Sequence, residues 1–424
     1  MKSIKIHIKQ LGRIKETDIE ISPLMVFSGE SGFGKSYIAI LCHFFFQVFL
    51  NTKSLHKFFE SNGIDYASHA TKFKDAGTAA SIQKDSLERW LASEALTYVR
   101  YMLGDDKMVG ELIVLLPDEI PVDIPITYKK EKAGIQGDEQ EDIILGAMDL
   151  TFRVRENTDF DESPYAFLIR YALIDKIWGD WKALKHDFIM PPSRGPLLTE
   201  RITPITGLFQ EYYKGLEILN KATMRSSDES HAVLDRLHEI LEGEVTREDS
   251  SYYYRMGEVT LPISAAAASI REIAPIQFLA QKTDVSKAFV LVEEPEAHLH
   301  PLKQRLMADI LCCLAKSGTF LQITTHSDYF LHRLNEILLY GKIKQTIKDQ
   351  TKVDELSRCL NIQDDLCIDL STIKAYILVA RSDGSTYAEL QTLDEGVPYS
   401  SFLDALKFNV INQELLEEVL NYAD

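Results

Sequence analysis

Five cysteines occur in 424 residues, Cys42, Cys312, Cys313, Cys359 and Cys367, and none is spaced Cys-x-x-Cys. A disulfide scaffold or zinc ribbon is thereby excluded, and reduced, mostly buried thiols are expected. No long apolar run is present either. The longest, residues 37–50, is interrupted by His43 and Gln47 and falls short of the roughly 20 residues that span a bilayer. The N-terminus, Met-Lys-Ser-Ile-Lys-Ile-His, lacks the apolar core of a signal peptide, so a cytoplasmic protein with no membrane partner is expected. Basic residues are scarce: 46 Lys and Arg face 64 Asp and Glu, a net charge of -18. Such a field repels polyanions, so any phosphate must be bound in a local, shaped site, and nucleic acid is not indicated as a partner. Internal repeats, heptads and low-complexity tracts are missing too. What is there is an ordinary globular composition, 45% hydrophobic and 26% charged, long enough for two to three domains of about 150 residues.

Ile4, Ile6 and Ile8 alternate with Lys5, His7 and Lys9, Gly12 turns the chain, and Ile19 and Ile21 resume the alternation, which predicts an antiparallel strand pair. After Pro23, residues 24–27 read as a strand buried on both faces, and residues 35–50 as a helix. A helix is predicted over 84–103 and strands over 111–116 and 145–154. The charged, Gly-containing stretch 129–142 reads as a mobile surface loop. Residues 165–185 and 208–241 read as helical, the second broken near 226–230, with a Pro-rich loop (Pro191, Pro192, Arg194, Pro196) between them. Strands at 252–261, 289–292, 320–324, 375–379 and 387–390, a helix over 301–314 and an amphipathic helix over about 401–422 complete the reading.

Gly29, Gly34, Lys35 and Ser36 fit Gly-x4-Gly-Lys-Ser between a predicted buried strand and a predicted helix. Glycines there let backbone N–H groups converge on phosphate oxygens at a helix N-terminus, and the plain alternative is a glycine-rich turn without a ligand. Lys35 would reach the β- and γ-phosphates of ATP, and Ser36 would ligate Mg²⁺. Glu30, Ser31, Gly32, Phe33 and Tyr37 belong to the same candidate loop. Glu293 and Glu294 follow an apolar strand, where Glu293 would hold Mg²⁺ through water and Glu294 would orient and deprotonate the attacking water. His326 follows a second apolar strand and could contact the γ-phosphate. Glu294, Glu296, His298 and His300 alternate, so a metal cluster is a rival reading, although Pro295 argues for a turn.

Together these residues resemble an ABC-type ATPase head of the OLD, RecF and SMC-like group, an AAA family ATPase without a TOPRIM domain. Leu291 to Pro301 (LVEEPEAHLHP) looks like its Walker B and D-loop segment, and Thr324 to Ser327 like its switch-histidine motif. Arg194 and residues 242–261 are similar to the group as well. The resemblance implies an α/β P-loop NTPase with an ABC-like mixed sheet. Residues 1–160 would form a β-rich lobe with Walker A, and 161–260 an inserted helical lobe. Residues 261–340 would hold the signature, Walker B and switch histidine, and 341–424 a C-terminal α/β extension. It implies ATP bound between two copies, the signature segment of one facing the phosphate loop of the other. Ala265 to Ala268 stand where a Ser-Gly pair is usual, leaving Ser269 as the signature hydroxyl; Ser269 and Glu272 also match a capping box, and Pro275 is expected to break or kink that helix. Glu30 and Ser31 stand where Pro-Asn is frequent in the group.

The stretch after His326 contains no Asp-x-Asp, so no nuclease activity is expected in the chain. The function implied is Mg²⁺-dependent ATP hydrolysis coupled to dimerisation, serving a separately encoded effector, possibly a nuclease, as in antiphage defence. The alternatives are a RecF- or SMC-like DNA-repair ATPase binding duplex DNA, and a nucleotide-gated scaffold with little hydrolysis.

Overall fold

The structure, a computed structural model, describes residues 3–51, 53–133, 140–155, 162–179, 185–199, 203–223, 228–249, 251–347 and 349–391. Strands β1 (Lys5–Leu11), β2 (Ile14–Glu20) and β3 (Leu24–Gly29) lead into helices α1 (Lys35–Leu50), α2 (Ser54–Ser61) and α3 (Tyr66–Ala70). Next come β4 (Ala76–Gln83), α4 (Lys84–Leu103), β5 (Gly110–Leu115), β6 (Asp123–Ala133), β7 (Gln140–Ala147), β8 (Leu150–Arg155) and α5 (Pro164–Trp178). They are followed by β9 (His186–Met190), α6 (Gly207–Lys221), α7 (Asp228–Leu241), β10 (Glu244–Glu248), β11 (Ser251–Met256), β12 (Val259–Pro262) and α8 (Ala268–Lys282). Then follow β13 (Ala288–Glu293), α9 (Pro301–Lys316), β14 (Phe320–Thr324), α10 (Asp328–Thr346), α11 (Gln350–Leu360), β15 (Ile373–Ala380) and β16 (Thr386–Gln391).

Contacts divide the chain into two units, the first drawing on residues 1–21, 41–100 and 106–185, the second on 22–40, 101–105 and 186 onwards. In the first, β5-β1-β2 and β4-β6-β7-β8 are antiparallel sets. Ile4, Ile6 and Ile8 are buried while Lys5 is exposed, as the alternation requires.

The second unit holds a mixed sheet in the order β16-β15-β3-β14-β13-β9. β15, β3, β14, β13 and β9 run parallel and β16 antiparallel. Every residue of β13 is buried, which is why its run Ala-Phe-Val-Leu-Val shows no alternation: a parallel strand is covered on both faces. Burying each of its large side chains contributes about 1.5–3 kcal/mol. Leu24 and Val26 of β3, Val290 and Val292 of β13, and Leu321 and Ile323 of β14 join one core with α7 to α11. Because the parallel strands share a direction, the carboxyl ends of β3, β14, β13 and β9 meet along one sheet edge, the edge at which open α/β sheets place their ligands.

Several expectations are corrected. The supposed surface loop at 129–142 is strand on either side of residues 134–139. Its charges pair rather than wave in solvent, Arg153 lying 3.2 Å from both Glu131 and Asp142. The stretch 145–154 is a hairpin, β7 and β8, turning at Met148 with φ 53°. The helix expected to reach residue 185 stops at Trp178, where Gly179 takes the left-handed conformation (φ 83°) that ends helices. Pro275 does not break α8. The helix runs through it to Lys282 with Ile273, Ala274 and Ile276 buried, so packing outweighs the roughly 3 kcal/mol cost of an interior proline. Ser269 and Glu272 form no capping box: the N-cap is Ala267, and Glu272 bonds elsewhere. The helix predicted over about 401–422 lies outside the described residues.

Candidate functional site

β3 ends at Gly29 and α1 begins at Lys35, and the loop between them needs glycine at three places. Gly29, Gly32 and Gly34 have φ of 123°, 79° and 103°. At Gly29 a Cβ would also lie 2.7 Å from the Leu378 carbonyl oxygen, because β15 runs beside β3 with Leu378 opposite Gly29. The loop is braced from β16, where the Thr386 hydroxyl donates to the Phe33 carbonyl at 2.9 Å. The Lys35 ammonium donates to the carbonyls of Gly29 (2.8 Å) and Glu30 (3.0 Å). Burial lowers its pKa, opposed by Glu294, Glu296 and Glu293. A desolvated cation held on the carbonyls of a glycine loop, at the start of a helix, is suited to phosphate oxygens.

Ser36, one residue further, donates to Glu293 Oε2 in a very short contact. The Glu293 side chain is 1% exposed, and its Oε1 is buried without a hydrogen-bond partner. Burial raises its pKa to about 7, while the Ser36 hydroxyl and Lys35 pull the other way and Glu294 adds to the rise. A buried carboxylate with an unpartnered oxygen, touching a serine hydroxyl under a phosphate-binding loop, fits a divalent cation, which takes oxygen ligands and would remove the cost of the charge.

Glu294 leaves the strand with φ 45°, a conformation costing a non-glycine residue roughly 1–3 kcal/mol. Its N–H bonds to the Thr324 carbonyl at 2.9 Å, tying the end of β13 to that of β14. Its Oε1 lies 3.7 Å from His326 Nδ1. The structure therefore brings Lys35, Ser36, Glu293, Glu294 and His326 to one edge. A cavity of about 720 Å³ opens there, lined by Gly29, Glu30, Ser31, Phe33 and His326. Lys35, Ser36, Glu293 and Glu294 lie beside it and are not part of its lining, nor are Tyr37 and Ser269; Ser269 sits in the first turn of α8.

Residues that sequence reasoning left without a role complete the setting. Asp328 and residues 377–379 of β15 line the same cavity, and nothing in the motif spacing points to β15. Arg194 is fully buried after β9. Its Nε donates to the Glu272 carbonyl (2.8 Å) and one terminal nitrogen to the carbonyls of Pro191 (3.1 Å) and Glu293 (3.0 Å). Glu272 accepts from the backbone N–H groups of Arg194 and Gly195, both at 3.0 Å. Glu296 bonds to the segment around His326. The rival metal cluster is not formed: Glu296 points to Thr325 and His326, His300 caps α9 by accepting from the Leu302 N–H, and no suitable group of three is present among the described residues.

Residues 196–331 match the family model of an AAA ATPase domain. The match covers about a third of the chain, and with the phosphate loop and the parallel sheet edge the fold is that of a mixed α/β P-loop NTPase. No curated protein matches the chain. Among solved structures, an SMC head domain from Thermotoga maritima is similar over 92% of this chain and 99% of its own, at 11% identity and a TM-score of 0.33. An Smc head with an extended coiled coil bound to the C-terminal domain of ScpA, derived from Pyrococcus furiosus, is similar over 96% and 100%, at 12% identity and a TM-score of 0.36. Among the described residues no single helix is long and apolar enough to cross a membrane.

Proposed function

We propose that the chain is a Mg²⁺-dependent ATPase head that closes on a second copy when ATP is bound and drives or licenses a separately encoded effector, as in antiphage defence. The observation that carries the chemistry is the joint placement of Ser36, Glu293, Glu294 and His326 beside the loop that holds Lys35. In this reading the loop N–H groups and Lys35 bind the phosphates, and Ser36 with Glu293 Oε1 holds the cation. Bound there, Mg²⁺ would supply charge neutralisation at the phosphates. Glu294, at the strand end next to His326, orients a water and takes its proton, and the His326 ring stands beside that water at the γ-phosphate end of the site. Ser269, outside the cavity of its own copy, is assigned to the partner's. The whole chain works as one head, and it has no nuclease activity of its own.

Phosphate release with light scattering tests this. Lys35→Ala removes the charge at the phosphates and should abolish ATP binding. Glu294→Gln keeps size and reach but cannot accept a proton, so turnover should fall about 10²–10⁴-fold while binding persists and the mass doubles with ATP. Near-normal turnover in Glu294→Gln rejects the base, and a dead variant whose mass ignores ATP rejects the dimer. Turnover stimulated by duplex DNA would favour the repair-type alternative.

A further inference from the structure

We propose that Glu296 is a positioning residue: it seats the His326 segment against the end of β13 and fixes the ring so that Nδ1 carries the proton. The proposal rests on the ATPase reading above. Glu296 is 4% exposed. Its Oε1 accepts from the Thr325 hydroxyl at 2.7 Å and from the His326 backbone N–H at 2.9 Å, and lies 3.4 Å from His326 Nδ1. One carboxylate oxygen thus gathers three groups of the segment that follows β14. The Thr325 hydroxyl passes the hold onward by accepting from the Ser327 N–H at 3.1 Å, and the Ser327 hydroxyl in turn caps α10 at the Phe330 N–H. The start of α10 is therefore placed by a residue that follows β13.

The second oxygen, Oε2, is buried with no hydrogen-bond partner. A carboxylate held in so dry a place needs donors, and the ring atom of His326 that approaches it, at its Oε1, is Nδ1. Glu294 Oε1 also lies 3.7 Å from Nδ1, so two carboxylates converge on that nitrogen. With Nδ1 protonated and held, Nε2 is left as a lone-pair acceptor facing the site, the arrangement by which second partners of a functional histidine set its tautomer. Glu296 would touch neither nucleotide nor water. Its effect is on where the ring stands.

The experiment compares Glu296→Ala, Glu296→Gln and Thr325→Val in the full chain by phosphate release, ATP affinity and ¹⁵N-histidine spectra, with His326→Ala identifying the ring's signals. Glu296→Ala should lower kcat about 10²-fold, the scale of a misplaced group, with ATP affinity within about threefold. Glu296→Gln keeps an acceptor for Thr325 and the His326 N–H and should recover most of the loss. Adding Glu296→Ala to His326→Ala should cost nothing further. In the spectra, His326 should be protonated on Nδ1 in the parent and move towards the other tautomer in Glu296→Ala. Losses that multiply in the double variant, or a ring tautomer unmoved by Glu296→Ala, overturn the proposal. If the parent releases no more phosphate than Lys35→Ala, the ATPase reading fails, and the ring spectra still decide the positioning role.

Discussion

Replacing Arg194 by methionine keeps an unbranched stem of similar reach and removes the guanidinium. In the folded protein that group donates three side-chain hydrogen bonds to carbonyls of Glu272, Pro191 and Glu293, and it is the cation facing the buried Glu272. Breaking one side of a buried ion pair costs about 3–5 kcal/mol, and bonds from a charged donor contribute about 1.5–3 kcal/mol each. These contributions overlap and do not add. One terminal guanidinium nitrogen is buried without a partner, so methionine relieves a desolvated NH₂ group, which draws the net loss towards the lower end, about 3–4 kcal/mol. Of the tryptophans among the described residues, Trp90 and Trp178, neither lies in the second unit and neither would report it. Hydrogen exchange read by mass spectrometry should show the amides of β9, β13 and the start of α8 opening together, with protection reduced by the same energy. Arg194→Met combined with Glu272→Gln should lose less than the sum of the two single changes. Protection within 1 kcal/mol of the parent across those elements would refute the idea that this arginine ties them together.

Three further outcomes are expected. His43 is fully buried and its pKa is lowered to about 3, so the folded protein keeps it neutral while the unfolded chain protonates it below its ordinary value of 6.5. Stability from this group is present above pH 6.5 and is lost on acidification, about 2 kcal/mol by pH 5; urea denaturation should show that slope in the parent and not in His43→Gln. Gly29→Ala places a Cβ against the Leu378 carbonyl at positive φ, and should cost about 1–3 kcal/mol of loop integrity and at least tenfold in ATP affinity by calorimetry. The purified chain with Mg²⁺ or Mn²⁺ should leave DNA and RNA intact on gels, since the stretch after His326 lacks an Asp-x-Asp; cleavage abolished by a change in that stretch would reverse this.

The parts of the site that were legible share one property: their chemistry is written in contiguous residues. The phosphate loop carries its glycines, Lys35 and Ser36 in sequence, and the apolar runs before Glu293 and Thr325 announce buried parallel strands. What was not legible is made by distance. Glu272 satisfies a capping spacing with Ser269, yet its carboxylate goes to Arg194 and Gly195, because two free backbone N–H groups in a buried loop compete for it and a helix start does not need it. The wall formed by residues 377–379 depends on β15 pairing with β3, which no local pattern encodes. Charge misled at β6 and β7, since an arginine and an aspartate on neighbouring strands, Arg153 of β8 and Asp142 of β7, pair as well as they solvate.

The parallel order β15-β3-β14-β13-β9 also sets a schedule for folding. The phosphate loop is synthesised well before either neighbour of its strand, since the strand on one side of β3 belongs to residues 320–324 and that on the other to residues 373–380. Parallel neighbours this far apart close only after long loops have been ordered, which makes such pairings slow. Between the synthesis of β3 and that of β15 the chain therefore carries a complete phosphate-binding motif with no site around it. Nucleotide cannot guide the early steps, and ATP protection of a nascent chain should appear abruptly, once β15 has emerged and docked, rather than growing with length.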